Sequence, residues 1–151
     1  MAIGAYDGAL RRAVVAMKRG ERDALVAFAD LLAARAPLDG ALVPLPTSRA
    51  RAAKRGFDQS VELARRVAAL RGVACAEVLE KRGGPQEGRG RHDRLAAAGR
   101  FRLRTGVARP VAVTLLDDVC TTGATVRDAV RVLRTAGVDV RGIVVIARTG
   151  T

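Results

Sequence analysis

One stretch decides the fold of this chain: VTLLDDVCTTGAT, residues 113–125. Its apolar start runs into two adjacent carboxylates, Asp117 and Asp118, and then into a threonine-rich turn that contains one glycine. Beyond the turn, apolar residues recur every three or four positions, which is typical of an amphipathic helix. The stretch therefore predicts a buried strand, a loop and a helix. In an open α/β sheet such a loop lies at the carboxyl ends of the strands, where these folds bind their ligands.

The residue types of this stretch suit a phosphorylated sugar. A helix N-terminus offers free backbone N–H groups to a phosphate, and threonine hydroxyls add further donors. The carboxylates can accept hydrogen bonds from vicinal ribose hydroxyls or orient a hydrated Mg²⁺. The alternative is a structural turn in which Asp118 or Thr121 only caps the helix. Capping requires only one such residue. The stretch combines two adjacent acids with three threonines in the turn that follows them, and this favours a ligand site.

The remaining sequence alternates between helical and strand patterns. Helical spacing of apolar residues covers four segments: 10–17, 25–32, 63–70 and 126–133. Short apolar runs predict strands at 41–43, 101–103, 111–116 and 143–147, with a weaker strand at 73–79. The alternation predicts one domain over residues 1–151, a doubly wound α/β fold with a mostly parallel sheet flanked by helices. Residues 82–99 are rich in Gly and Arg and predict a mobile loop.

The charge of the chain favours negatively charged partners. Lys and Arg number 27 against 15 Asp and Glu, a formal net charge of +12. Such an excess suits nucleic acid or a phosphorylated small molecule, although charges spread over solvated faces are an equally good explanation. Aromatic residues make up only 3% of the chain, which argues against a protein that stacks bases along a single strand. We therefore expect any binding of nucleic acid to be weak and non-specific.

Other functional classes find little support in the sequence. There is no Gly-x-x-x-x-Gly-Lys-Ser/Thr motif, so ATPase chemistry is not indicated. Cys75, Cys120 and His92 are too few to build a four-ligand zinc site. No apolar run is long enough for a signal peptide or a membrane span. We expect a cytoplasmic protein without membrane contact.

A second cluster of polar residues, LPTSRARAAKRGFDQ at 45–59, also follows a predicted strand. Four cations lie within residues 49–55, and Thr47 and Ser48 precede them. Such a cluster could receive a diphosphate through charge-assisted hydrogen bonds. The alternative is an exposed, basic helix start.

The stretch at 113–125 resembles the phosphoribosyl-pyrophosphate (PRPP) signature of type I phosphoribosyltransferases, two acids followed by Thr-Thr-Gly-x-Thr. The resemblance implies that fold, with Asp117 and Asp118 on the ribose 2′- and 3′-hydroxyls. It also implies Mg²⁺ as cofactor, held by the same two acids through water. The residues that it assigns to the 5′-phosphate form one loop: Cys120, Thr121, Thr122, Gly123, Ala124 and Thr125.

Shorter motifs resemble the ComF group within that superfamily, proteins associated with competence for DNA uptake. They are Tyr6, Lys18-x-Gly20, Pro44-x-Pro46 and Arg55-Gly56-Phe57-x-Gln59. This resemblance implies a pyrophosphate-binding set: Thr47, Ser48, Arg49, Arg55 and Arg82. The chain departs from the group at Asp58, where asparagine is usual, and at Ala97, although Gln86 and Arg94 match. It also lacks the N-terminal four-cysteine zinc ribbon of many members.

The resemblance implies transfer of a phosphoribosyl group from PRPP to a nitrogen acceptor, with release of pyrophosphate. Asp117, Asp118 and Arg55 would be the catalytic residues, and residues 82–99 would close as a lid. A nucleobase is one candidate acceptor, and a homodimer is compatible with this function. The alternative is a non-catalytic protein of the same fold that senses PRPP or nucleotides, or assists DNA uptake. The strong positive charge favours that alternative, whereas the intact acid pair and threonine loop favour catalysis.

Overall fold

The computed structural model describes residues 1–47, 52–54, 56–82 and 99–150. Within these ranges the strands and helices follow one another in this order: β1 (Ala2–Ala5), α1 (Gly8–Lys18), α2 (Arg22–Arg35), β2 (Ala41–Pro44), α3 (Gln59–Arg71), β3 (Leu79–Lys81), β4 (Phe101–Leu103), β5 (Ala112–Cys120), α4 (Ala124–Thr135) and β6 (Asp139–Arg148). Four strands form a parallel sheet in the order β1-β6-β5-β2. β3 and β4 form a separate antiparallel ribbon. The predicted α/β fold with a mostly parallel sheet is confirmed.

Strand β5 lies inside the sheet and carries the acid pair toward its carboxyl end. It pairs with β2 on one side and with β6 on the other. The ladder with β6 continues past the apolar run, from Asp117 opposite Val145 to Cys120 opposite Arg148. The strand is therefore longer than the apolar residues alone predict, because its neighbour β6 supplies backbone partners as far as Cys120.

Each face of the sheet has its own apolar core. Leu116 faces α1, α2 and α3 and shares a cluster with Met17 and Leu32. The preceding residue, Leu115, faces α4 and the β3–β4 ribbon and shares a second cluster with Leu133. Successive residues of a strand point to opposite faces, so the continuous apolar run of β5 is buried on both sides. Helices cover both faces, as a doubly wound fold requires.

The structure differs from the sequence prediction at one predicted strand, at one strand that was not predicted, and at the last apolar residue of the helical spacing at 63–70. Residues 73–79 do not form a strand: Cys75 makes one isolated parallel bridge to Leu42, and β3 begins only at Leu79. Strand β1 has too few β-branched residues to stand out, and its pairing with β6 defines it. Leu70 is 51% exposed, since the buried face of α3 is centred on Ala64, Val67 and Ala68.

Of the predicted lid at 82–99, residues 83–98 lie outside the described residues. Among the helices that the structure describes, none combines the length and apolarity that a membrane crossing needs.

Candidate functional site

A cavity of about 180 Å³ lies at the carboxyl edge of the sheet, beside the acid pair. We call it the acid cavity. Its lining comes from β5, from the loop after β2, from the start of α4, and from α1, α3 and β3: Lys18, Leu45, Pro46, Thr47, Gln59, Ser60, Lys81, Asp117, Asp118, Val119 and Thr125. Residues far apart in the sequence thus meet where parallel sheets of this class bind ligands. The structure brings Thr47 and Thr125, from the two predicted clusters, to this one cavity.

The two carboxylates have different partners. Asp118 Oδ2 lies 2.9 Å from Lys18 Nζ, and its Oδ1 accepts a hydrogen bond from the Val119 N–H at 2.6 Å. Asp117 Oδ1 accepts a hydrogen bond from the Asp118 N–H at 2.9 Å. Both side chains are therefore held by the backbone of β5 itself. Of the two, Asp118 has a cation in direct contact.

The surroundings of Asp117 disfavour its charge. Burial, and after it the negative charge of Asp118, raise the pKa of Asp117 to about 7, although the Asp118 N–H and Lys18 act in the opposite direction. Near neutral pH the Asp117 carboxyl is therefore partly protonated. A cation or a set of hydroxyl donors entering the cavity would favour the fully ionised pair. The acid pair is thus sensitive to what binds beside it.

The threonine loop leads from β5 into α4. Gly123 adopts φ +73° at the N-cap of α4, a conformation that glycine takes without strain, and it has no side chain to cap the helix. Of the first helical N–H groups, that of Ala124 makes a long 3.4 Å bond to Thr122 Oγ1. The first turn of α4 has no acidic residue. Such an end can accept an anion.

Two side chains near the loop have distinct surroundings. Arg127 Nη1 lies 3.0 Å from the point where a Cβ on Gly123 would stand, so a guanidinium borders the loop. The side chain of Cys120 packs against the apolar cluster under α4. Arg127 was not predicted as a site residue, although its position one turn into the helix that follows the threonine loop was a usable signal.

The second predicted cluster is described in part. The Thr47 N–H donates to Asp58 Oδ2 at 2.7 Å, and Asp58 Oδ1 accepts from the Ser60 and Val61 N–H groups at 3.1 and 3.4 Å. Asp58 thereby caps α3 and ties the loop after β2 to it. Arg82 directly follows β3, is exposed, and is not among the described residues that line the acid cavity. The remaining residues of the pyrophosphate-binding set, Ser48, Arg49 and Arg55, lie outside the described residues.

Two short motifs that are far apart in the sequence, Lys18-x-Gly20 and Arg55-Gly56-Phe57-x-Gln59, meet in the structure. Gln59 Nε2 donates to the Lys18 carbonyl at 3.0 Å. The Phe57 ring lies 3.3 Å from the point where a Cβ on Gly20 would stand, and Gly20 has φ +95°. The motifs around Lys18 and around Gln59 are therefore in contact. Both motifs belong to the resemblance to the ComF group. That shared membership was the available signal that Lys18 lies near the site.

The acid cavity offers two carboxylates, Asp117 and Asp118, to a metal ion. Within the described residues no group of three or more His, Cys, Asp or Glu side chains is arranged to hold a metal. Mg²⁺ usually takes one or two carboxylates and completes its shell with water and substrate phosphates. Asp117 and Asp118 fit a Mg²⁺ that arrives with a phosphorylated ligand, and they do not form a complete protein cage.

No known family's sequence profile matches the chain. The chain is similar to the competence protein ComFC of Streptococcus pneumoniae (strain ATCC BAA-255 / R6), with 34% identity over 96 residues. The match covers 63% of this chain and 42% of that protein, so the chain spans less than half of the relative's length. This similarity agrees with the resemblance to the ComF group that the short motifs indicate.

Proposed function

We propose that the chain belongs to the ComF group and binds PRPP in the acid cavity, where it transfers the phosphoribosyl group to a nitrogen acceptor. One observation carries the proposal: the acid pair of β5 and Thr125 of the threonine loop line the same cavity at the carboxyl edge of the sheet. A pentose with free hydroxyls and a 5′-phosphate presents groups of complementary chemistry. Similarity to ComFC supports the group but does not extend to a reaction.

In this proposal the threonine loop binds the 5′-phosphate. The free N–H groups at the start of α4 and the Thr122 and Thr125 hydroxyls donate hydrogen bonds to its oxygens. Asp117 and Asp118 accept hydrogen bonds from the ribose 2′- and 3′-hydroxyls. Thr47, with Ser48, Arg49, Arg55 and Arg82, would bind the pyrophosphate.

The reaction breaks the bond between C1′ and the pyrophosphate oxygen, which keeps the electron pair, and forms a bond between C1′ and the acceptor nitrogen. The nitrogen loses its proton to solvent or to a base of the site. Positive charge develops on the ribose ring, and the carboxylates of the acid pair would stabilise that charge. Mg²⁺ held by Asp117 and Asp118 would offset the charge of the departing pyrophosphate. The protein's own part is to align the sugar and to exclude water.

The second candidate is a protein that binds the same ligand without transferring it and acts in competence. The name of the ComFC relative favours this candidate. Both candidates require the same ligand site and differ only in chemistry.

A screen for pyrophosphate release separates the two candidates. The protein would be incubated with PRPP, Mg²⁺ and a panel of nucleobases and amines, with Asp118→Asn as the inactive control. Release that depends on one acceptor and is lost in the variant supports transfer. Tight PRPP binding without pyrophosphate release for any acceptor supports the second candidate. If the protein neither binds PRPP nor releases pyrophosphate, both candidates are excluded.

A further inference from the structure

Lys18 places an ammonium group in the acid cavity. Its Nζ lies 2.9 Å from Asp118 Oδ2, and its side chain is 31% exposed. The chain has 27 basic residues, of which three are lysines: Lys18, Lys54 and Lys81. Two of the three, Lys18 and Lys81, line this cavity. Lysine is therefore placed at the acid pair in a chain that otherwise uses arginine.

Neighbouring segments hold the backbone of Lys18 in place. Lys18 ends α1, and its carbonyl accepts a hydrogen bond from the buried Gln59 side chain. Two residues later Gly20 contacts Phe57. The segment that positions Lys18 also contains Asp58, the residue that binds the Thr47 N–H. Residues 57–59 thus connect Lys18 to the loop after β2, and both Lys18 and Thr47 of that loop line the cavity.

A ribose in this cavity would compete with Lys18. Sugar hydroxyls donate hydrogen bonds, as the ammonium does, and both would use Asp118 Oδ2. A diphosphate on the same ligand offers the ammonium a partner of higher negative charge. Lysine is a compact charge on a long, flexible stem, so it can change partners without movement of the backbone. A planar guanidinium that binds a carboxylate through two nitrogens would exchange less readily.

We propose that Lys18 is an exchangeable counter-ion, which neutralises Asp118 before ligand binds and passes to a diphosphate oxygen when the ribose hydroxyls reach Asp118. This inference rests on the proposed function and adds selectivity to it. Ligands with a diphosphate at ribose C1′ gain a charge-assisted bond from Lys18. Sugar monophosphates, whose phosphate lies on the threonine loop, gain none and still displace the ammonium. Lys18 therefore selects PRPP over ribose 5-phosphate.

Calorimetry on two matched variants tests this selectivity. Binding of Mg²⁺-PRPP and of ribose 5-phosphate would be measured on wild type, Lys18→Met and Arg19→Met. Arg19 is the next residue, is exposed and does not line the acid cavity, so its variant removes the same charge outside the site. We expect Lys18→Met to lower the ratio of PRPP affinity to ribose 5-phosphate affinity about 10- to 100-fold, the value of one charge-assisted bond, because the cost of displacing Lys18 from Asp118 is removed for both ligands. Ribose 5-phosphate should bind unchanged or more tightly, and Arg19→Met should change neither.

The outcomes distinguish the inference from the function on which it rests. If the wild type binds neither ligand, the proposed function fails and the inference fails with it. If the wild type binds PRPP and Lys18→Met behaves as Arg19→Met does, or weakens both ligands equally, only the inference is overturned. Circular dichroism would check that each variant folds, and Lys18→Gln takes the place of Lys18→Met if the latter does not.

Discussion

At the scale of single residues, the neighbours Asp117 and Asp118 show how environment separates two identical side chains. Asp118 has Lys18 at 2.9 Å, whereas burial raises the pKa of Asp117 to about 7. The sequence predicted the acid pair because the two carboxylates adjoin a threonine loop in a recognisable pattern. It could not predict that Lys18, about a hundred residues earlier, would reach Asp118, because that contact depends on how α1 packs against the sheet.

The raised pKa of Asp117 predicts how stability depends on pH. The folded protein keeps this proton up to about pH 7, whereas the unfolded chain loses it near the ordinary value of 3.8. The stability that the protonated group contributes is full below pH 3.8 and is lost as pH rises through 7. The side chain of Asp117→Asn stays neutral at every pH. As pH rises from 5 to 8, the stability of the variant should therefore increase relative to that of wild type. Urea unfolding at both values measures this difference, and an equal difference at both would contradict the assigned pKa.

At the scale of elements, the positions of helices and of the buried strands followed from periodicity, but contacts between distant segments determined the rest. Helices α1, α2, α3 and α4 lie where apolar spacing predicted them. The edge strand β1 was not predicted, because Ala2–Ala5 is defined as a strand by its pairing with β6 and not by its own sequence pattern. The strand predicted at 73–79 was wrong for residues 73–78, because this segment makes one isolated bridge at Cys75 and the strand begins only at Leu79.

The cap of α3 predicts a graded series of variants at Asp58. Its two oxygens accept from different elements, Oδ1 from the first turn of α3 and Oδ2 from Thr47. Asparagine has one acceptor oxygen, so Asp58→Asn keeps one of these contacts and loses the other. We expect Asp58→Asn to lower the free energy of unfolding by about 1 kcal/mol and Asp58→Ala by about 2 kcal/mol or more. Urea denaturation gives both values, and equal stability of the two variants would contradict the double role.

At the scale of the whole molecule, charge and ring burial together determine how nucleic acid is expected to bind. The chain carries a formal +12, which attracts phosphates generally. Phe28 and Phe101 are buried, and Tyr6 and Phe57 are partly buried, so no fully exposed ring offers a stacking surface among these four aromatic residues. The low number of aromatic residues already predicted little stacking of bases, and the burial of their rings is a second reason for it.

Binding to single-stranded DNA should therefore be weak and independent of base sequence. Affinity should fall steeply between low and physiological salt, because non-specific phosphate contacts release counterions. Saturating PRPP should weaken DNA binding only to the extent that PRPP occupies basic side chains that also contact DNA. Fluorescence anisotropy on oligonucleotides of different sequence measures all three properties. Tight binding that survives physiological salt, or a clear sequence preference, would favour a nucleic-acid protein over an enzyme.

The claim that the threonine loop binds the ligand's phosphate is tested most directly by calorimetry with PRPP and with a nucleoside 5′-monophosphate. Thr122→Ala/Thr125→Ala removes two hydroxyl donors at the start of α4. Thr135→Ala is the matched control, an exposed threonine at the opposite end of the same helix, roughly 15 Å away. We predict that the double variant loses at least about tenfold in affinity for both ligands and that the control loses none. Unchanged affinity in the double variant would place the phosphate elsewhere and contradict the assigned site.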